Sequence, residues 1–113
     1  MKCPIIQNLT NQLHRLDDPM CSAIAEKMRL RSSVGVAKYG QSLAREDITL
    51  YDWLNHAQQE ALDLAAYIEA IHHHHPSIDL MEMQERVLAD ATELESRMQA
   101  IEEGRMATLK AEH

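Results

Sequence analysis

Side chains that could bind a divalent metal recur within the stretch Trp53 to Ile71, WLNHAQQEALDLAAYIEAI. His56, Glu60, Asp63 and Tyr67 follow one another at i, i+4, i+7 and i+11, a spacing that places them along one side of a helix. Carboxylate oxygens are the ligands that Mg²⁺ prefers in proteins. The spacing therefore predicts a polar helix face on which two carboxylates, one turn apart, could hold a metal ion.

A second, apolar row runs through the same stretch. Its members recur at three- and four-residue steps, the pattern of a buried helical stripe: Leu54, Ala57, Ala61, Leu62, Ala65 and Ile68. We expect one face of this central helix to lie in the core while the other carries the polar row.

A plain structural interpretation competes with the metal site. Glu60 and Asp63 could be surface acids paired with Arg29 or Arg31, an arrangement that contributes little to stability. His56 could be a core or rim histidine. A purely structural helix does not need two carboxylates beside its apolar stripe, so both interpretations stay open.

The composition predicts an all-α fold. The 113 residues include no Phe, one Trp and only three residues each of Gly and Pro, whereas the strong helix formers Ala, Leu, Met, Glu and Gln are abundant. This length suits one domain. We expect a small bundle of about four helices, with a helical core over residues 1–76 and a long C-terminal helix, within the same domain, over residues 77–113.

The formal net charge of −7 argues against a general nucleic-acid binder, because such a protein needs a basic surface. Four basic residues nevertheless fall within a short span, and they predict either a solvated helix face or a surface for a small anion: Lys27, Arg29, Arg31 and Lys38. Cys3 and Cys21 lack metal or redox spacing, which indicates free thiols in a reducing cytoplasm. No apolar run reaches the ~20 residues of a membrane span.

Local signals place the ends of the first three helices. The first is expected over Ile5–Leu16, with one inward stripe: Ile5, Ile6, Leu9, Leu13 and Leu16. The second is expected from about Pro19 to Lys38, capped by Asp18, with these residues inward: Met20, Ile24, Met28, Leu30 and Val34. The central helix should start near Leu50, capped by Thr49 or Asp52, and stop before Pro76.

The final helix is predicted over residues 79–110, capped by Ser77 or Asp79. From position 87 to 101 its apolar residues follow the alternating four- and three-residue steps of a helix–helix seam. The seam residues are Leu80, Val87, Ala91, Leu94, Met98 and Ile101. Because this helix is the longest, we expect it to form a homodimer through residues 79–110; the alternative is a helix that folds back on its own domain.

Four histidines, His72 to His75, end the central helix. Adjacent helical residues point in different directions, so no more than two could share one ion. A histidine-rich last turn also suits the negative end of the helix dipole. We expect a solvated helix end here.

The segment Arg31-Ser32-x-x-Gly35-x-x-Lys38-Tyr39-Gly40, followed by a helix reading EALDLAAYI, resembles small phage and prophage proteins of the all-α nucleotide pyrophosphohydrolase superfamily, the MazG-like group. The resemblance covers roughly Glu26 to Ile71. It implies a cytoplasmic, Mg²⁺-dependent hydrolase (Mn²⁺ being possible) that converts a nucleoside triphosphate to the monophosphate and pyrophosphate. It further implies catalytic and metal-binding roles for Glu60 and Asp63, a metal-binding role for Glu26, and substrate-binding roles for these residues: Arg31, Lys38, Tyr39, Trp53 and His56.

The sequence departs from that family at the acidic positions. Gln59 stands beside Glu60 where a second Glu is usual, and the preceding helix offers only Glu26. The missing ligands could come from Glu46 and Asp47, or from another chain, or the chemistry could be lost. An alternative function is therefore a non-catalytic phage-type helical protein that binds and modulates a host protein. Lys38 could equally be a helix-end cation, and Tyr39 and Trp53 core aromatics.

Overall fold

The protein is all-α, as the composition predicts. A computed structural model describes residues 3–39 and 43–111, and describes side chains for residues 3–33 and 43–105. The four helices are α1 (Pro4–Arg15), α2 (Pro19–Tyr39), α3 (Leu50–His74) and α4 (Met81–Ala111). The described residues contain no strand. They form two compact units, residues 1–47 with α1 and α2, and residues 48–113 with α3 and α4. The division predicted at residues 76–77 falls inside the second unit.

Three predicted caps begin helices in the structure. The carboxylate of Asp18 accepts a hydrogen bond from the Met20 amide at 2.7 Å, and the Thr49 hydroxyl accepts one from the Asp52 amide at 3.1 Å. The Asp79 carboxylate accepts one from the Met81 amide at 3.0 Å. Each acceptor satisfies an amide that has no partner inside the helix, which explains why the starts of these three helices could be read from local sequence.

The first unit is a helical hairpin whose turn includes Asp17 at φ 50°, a left-handed conformation that Asp tolerates better than most residues. α1 packs on α2 through a row of mostly small residues. Thr10 and Ala25 are buried, Ala25 with only 1% of its surface exposed. Ser22 and Ser32 are half-buried on the same side of α2. Small side chains let the two helices approach closely.

The predicted inward stripes of this unit were largely wrong. Ile6 and Leu13 of α1 and Met28 of α2 are half-buried, in line with the prediction. The other predicted residues with described side chains are exposed, Leu16 to 66% and Met20 to 77%. The exposed residues that were expected to point inward are Ile5, Leu9, Leu16, Met20, Ile24 and Leu30. Two helices share one interface, and here the row of small residues occupies it. The side chain of Val34 lies outside the described residues.

The second unit is an antiparallel hairpin in which the predicted α4 seam packs on α3. Val87, Ala91 and Met98 are buried, and the other predicted seam residues are half-buried. On α3, Ala65 and Ile68 are buried and contact Val87 in the core. The seam is therefore confirmed as a buried helix–helix contact, and its partner within one chain is α3.

The predicted stripe of α3 needs two corrections. Ala57 and Leu62 are exposed, whereas Leu54 and Ala61 are half-buried beside the core. A hairpin with one partner helix buries a narrow seam, and Ala57 and Leu62 fall on either side of it.

Among the described residues, no helix combines the length and the hydropathy that a membrane span requires.

Candidate functional site

The polar row predicted on α3 lies on an exposed face. His56, Glu60, Asp63 and Tyr67 are all exposed, Tyr67 to 70%. Steps of about 100° per residue place this row on the side of α3 away from the buried seam that contacts α4. The α3–α4 hairpin thus presents both carboxylates to solvent on one rigid helix.

The two carboxylates have no partner among the residues whose side chains are described. Glu60 and Asp63 form neither an ion pair nor a side-chain hydrogen bond with any of them. Two acids one turn apart with no cation between them repel each other weakly in water. A bound cation would relieve that repulsion, so the pair can accept a metal without breaking an existing contact.

Glu26, the third predicted metal ligand, is already paired. It lies in the first unit and accepts hydrogen bonds from Nε and Nη2 of Arg29, at 3.1 and 2.6 Å. The hydrogen bond from Arg29 lowers the pKa of the Glu26 carboxyl. Both side chains are exposed, so a metal would compete with a solvent-screened pair of modest strength.

The loop acids considered as substitute ligands differ from each other. Asp47 accepts two hydrogen bonds from Arg45, at 2.6 and 2.5 Å, and the hydrogen bond from Arg45 lowers the pKa of the Asp47 carboxyl. Glu46 is exposed and forms no ion pair with a described residue. Of the two, Glu46 is the acid that a cation could take without displacing Arg45.

The predicted substrate-binding residues are described in part. Arg31 and His56 are exposed, and Trp53 is half-buried. The rings of Trp53 and His56 meet edge to face, with centroids 6.3 Å apart. The side chains of Lys38 and Tyr39 lie outside the described residues. On α3, then, an aromatic pair stands one to two turns before the carboxylates, on the N-terminal side.

One histidine of the cluster is not simply solvated. His72 is half-buried, and its Nε2 accepts a hydrogen bond from the backbone amide of Leu80 at 3.0 Å. This bond ties the end of α3 to the residue before α4. His73 and His74 are exposed, with their rings edge to face at 4.9 Å. The expectation of a solvated helix end is therefore corrected for His72.

Sequence reasoning also missed three polar side chains of α3 and α4 that bridge the two helices. Gln58 donates to the Ala91 carbonyl at 3.2 Å and to Glu95 at 3.0 Å. The Tyr51 hydroxyl donates to Glu102 at 2.8 Å, and this hydrogen bond raises the pKa of the phenol. Gln84 donates to Glu69 at 2.8 Å. The partners in these hydrogen bonds are 15 to 51 positions apart in the sequence, so no local sequence pattern predicts them.

Within the described part of the chain, no three His, Cys, Asp or Glu side chains lie close enough to hold a metal ion. Comparisons with protein-family models, with curated proteins and with solved structures found no match to this chain. The functional argument therefore rests on the residues themselves. They offer two carboxylates on an exposed helix face, without an ion pair to any described side chain, and this suits a metal ion that arrives with most of its coordination shell already filled.

Proposed function

We propose that the chain binds a Mg²⁺–nucleoside triphosphate complex on the exposed face of α3, either as a MazG-like pyrophosphohydrolase or as a binding-only relative. The observation that carries the proposal is the pair Glu60 and Asp63, which are exposed, one turn apart and without an ion pair to any residue whose side chain the structure describes. Mg²⁺ is commonly held by one or two carboxylates together with water and substrate phosphates. Two ligands from the protein are sufficient for such a complex.

The other predicted residues of α3 take roles consistent with their chemistry: Trp53 would stack on the base, with His56 at its edge. For residues of the first unit, phosphate contacts by Arg31 and Lys38, base stacking by Tyr39 and metal binding by Glu26 stay predictions of the resemblance. In the hydrolytic form, one water is consumed and the triphosphate yields nucleoside monophosphate and pyrophosphate. Mg²⁺, or Mn²⁺ in its place, would supply charge neutralisation at the phosphates.

Isothermal titration and thermal melting test the binding step. Wild-type protein is titrated with each (d)NTP in the presence of Mg²⁺ or Mn²⁺, and its melting temperature is compared with and without ligand. A ligand at a hundredfold excess over Kd stabilises the native state by about 2.7 kcal/mol. Pyrophosphate release, measured in the same samples, separates the hydrolase from the binding-only relative.

The matched variants are Glu60→Gln/Asp63→Asn and Glu82→Gln/Glu85→Gln. Both pairs are exposed acids one turn apart, on α3 and α4 respectively, and both double substitutions remove two charges. We expect the first variant to lose the ligand-induced shift and the second to retain it. Absence of a shift with every nucleotide and metal in the wild type would refute both forms of the proposal.

A second candidate function, binding to a host protein, is favoured by apolar residues beside the acidic row. Leu64, Tyr67 and Ile71 are exposed on α3 at steps of three and four residues, so they form a stripe along one helix face. Groups of exposed apolar residues mark interaction surfaces. Capture of a single host protein by wild type but not by Leu64→Glu/Tyr67→Glu would support this candidate, and unchanged capture would exclude this stripe.

A homodimer through residues 79–110 is part of the same proposal. Because the α4 seam packs on α3, a second chain would have to use another face of α4, where Met81 and Leu88 are exposed seven residues apart. Light scattering should give a dimer mass for wild type and a monomer mass for Leu88→Asp. A monomeric wild type at high concentration would rule out the dimer.

A further inference from the structure

The first unit contains a cleft that none of the predicted site residues explains. It has a volume of about 360 Å³ and runs between α1 and α2. Cys3, Ile6 and Thr10 belong to its lining and are buried or half-buried, so they form its floor. It extends along α1 from Cys3 to His14, about 16 Å at 1.5 Å per residue. The cleft lies within the range of small-molecule sites in proteins, roughly 300–1,000 Å³.

The rim of the cleft carries several side chains that can donate hydrogen bonds. Arg29, His14 and Gln7 line it together with the hydroxyl groups of Ser32 and Ser33. No Asp or Glu is among the described residues that line it. A guanidinium beside hydroxyl donors matches the oxygens of a phosphate group in charge and geometry. The donor set thus favours an anionic ligand over a cation or an apolar molecule.

Arg29 is oriented and still has donors to offer. Its pair with Glu26 uses Nε and Nη2, and a guanidinium carries five N–H groups in a fixed plane. The Nη1 protons take no part in that pair. Glu26 thereby restricts the rotation of Arg29 without consuming its whole hydrogen-bonding capacity, which lowers the ordering cost of binding a ligand.

The charge of the first unit also suits an anion, although the whole chain is acidic. Residues 1–47 contain seven Lys and Arg against five Asp and Glu, whereas residues 48–113 contain four against thirteen. The basic excess therefore coincides with the unit that holds the cleft. Local charge of this sign raises the concentration of anions near a site.

We propose that the cleft between α1 and α2 binds the phosphate group of a small phosphorylated molecule, with Arg29 as its main contact and His14, Ser32 and Ser33 beside it. The apolar and hydroxyl-bearing floor, Ile6 and Thr10, accommodates the uncharged part of the ligand. The cleft is larger than a phosphate ion needs, so a phosphate ester should bind more tightly than inorganic phosphate. This site goes beyond the proposed function, since it uses neither Glu60 nor Asp63.

The test is a titration of the ¹⁵N-labelled full chain, followed by two-dimensional NMR at constant ionic strength. The probes are ribose 5-phosphate, inorganic phosphate and unphosphorylated ribose. We expect saturable shifts of Thr10, Ser32 and the Arg29 side-chain N–H with the phosphate ester and none with ribose. If inorganic phosphate binds as tightly as ribose 5-phosphate, the result would support an anion site and identify inorganic phosphate as a sufficient ligand. Shifts with ribose alone, or shifts that never saturate, would overturn the proposal.

Two arginine variants make the test specific. Arg29→Ala should weaken binding about tenfold or more, since charged donors form stronger hydrogen bonds to phosphate oxygens than neutral donors do. Arg15→Ala removes the same charge from the last turn of α1, at an exposed residue that does not line the cleft, and should change affinity less than twofold. An equal loss in both variants would indicate diffuse charge attraction and refute the site. Glu60→Gln/Asp63→Asn should bind the ester like wild type, so the cleft and the α3 site can fail independently.

Discussion

Removing the His72 ring should destabilise the second unit measurably, while removing the neighbouring ring of His73 should not. Nε2 of His72 accepts the hydrogen bond of the Leu80 amide, which requires a neutral ring that carries its proton on Nδ1. Leu80 is half-buried, so after His72→Ala water reaches its amide only in part. A net hydrogen bond contributes about 0.5–1.5 kcal/mol, and a partly buried donor without a partner adds to the loss. We therefore expect a loss of about 1 kcal/mol.

For a unit of this size, 1 kcal/mol corresponds to a decrease of about 4–8 °C in melting temperature. His73→Ala is the matched control, because His73 lies on the same helical turn and is exposed. The change in helix propensity from His to Ala is the same in both variants, so the difference between them isolates the bond to Leu80. Exposed positions without special contacts usually change stability by less than about 0.5 kcal/mol.

Hydrogen exchange supplies a direct second measurement. The Leu80 amide should exchange more slowly than the neighbouring Asp79 amide in wild type and in His73→Ala, and should lose that protection in His72→Ala. Equal melting temperatures for the two alanine variants, with the Leu80 amide still protected in both, would show that the bond contributes nothing and would refute the reasoning.

Two further predictions concern the α3–α4 hairpin. The hydrogen bond from Tyr51 to Glu102 raises the pKa of the phenol. The contact therefore stabilises the fold below the ordinary phenol pKa of about 10, and this stabilisation is lost as pH rises through the higher pKa of the folded state. The melting-temperature difference between wild type and Tyr51→Phe should shrink from pH 8 to pH 11, and a constant difference would contradict the prediction. Leu94→Asp, which places a charge in the half-buried seam, should cost more than about 2 kcal/mol in urea unfolding. Ala89→Asp, at an exposed position of the same helix, should leave the stability of the hairpin within about 0.5 kcal/mol. Similar losses in both would mean that the seam is not the buried face.

The helix ends were predictable because they depend on residues close together in sequence. Asp18, Thr49 and Asp79 each accept a bond from an amide two or three positions later. The α4 seam was predictable for a related reason: its period defines which residues share a face, whatever the partner. The identity of that partner, α3 of the same chain, depends on the turn between the helices, and the seam pattern alone does not contain it.

The interior of the first unit could not be predicted by size and hydrophobicity. Each helix has a single partner and two candidate rows, one of large aliphatic residues and one that mixes small residues with Ile6, Leu13 or Met28. Close approach at Thr10 and Ala25 buries the mixed row and leaves the row of large residues exposed. Choosing between the two rows requires knowing the helix separation, which depends on both surfaces at once.

The candidate site likewise has a part that could be predicted from local spacing and a part that could not. That Glu60 and Asp63 share a face follows from spacing, and their exposure follows from the seam that faces α4. The role of His72 could not be predicted, because the hydrogen bond that it accepts comes from the amide of Leu80, which follows the turn between α3 and α4. The ion pair between Glu26 and Arg29 could have been predicted from their i, i+3 spacing, which competes with a metal-binding role for Glu26.

The two apolar stripes of α3 explain why both proposed functions lead to the same helix. One stripe, with Ala65 and Ile68, is used by α4; the other, with Leu64 and Ile71, lies roughly 100° around the helix and is exposed. Tyr67 belongs both to the second stripe and to the acidic row. A ligand on this face therefore meets carboxylates and apolar surface together. Binding of a metal–nucleotide complex depends on the charge, whereas binding of a protein partner depends on the apolar area. The Glu60→Gln/Asp63→Asn variant should therefore lose nucleotide binding and keep partner binding. The Leu64→Glu/Tyr67→Glu variant should lose partner binding.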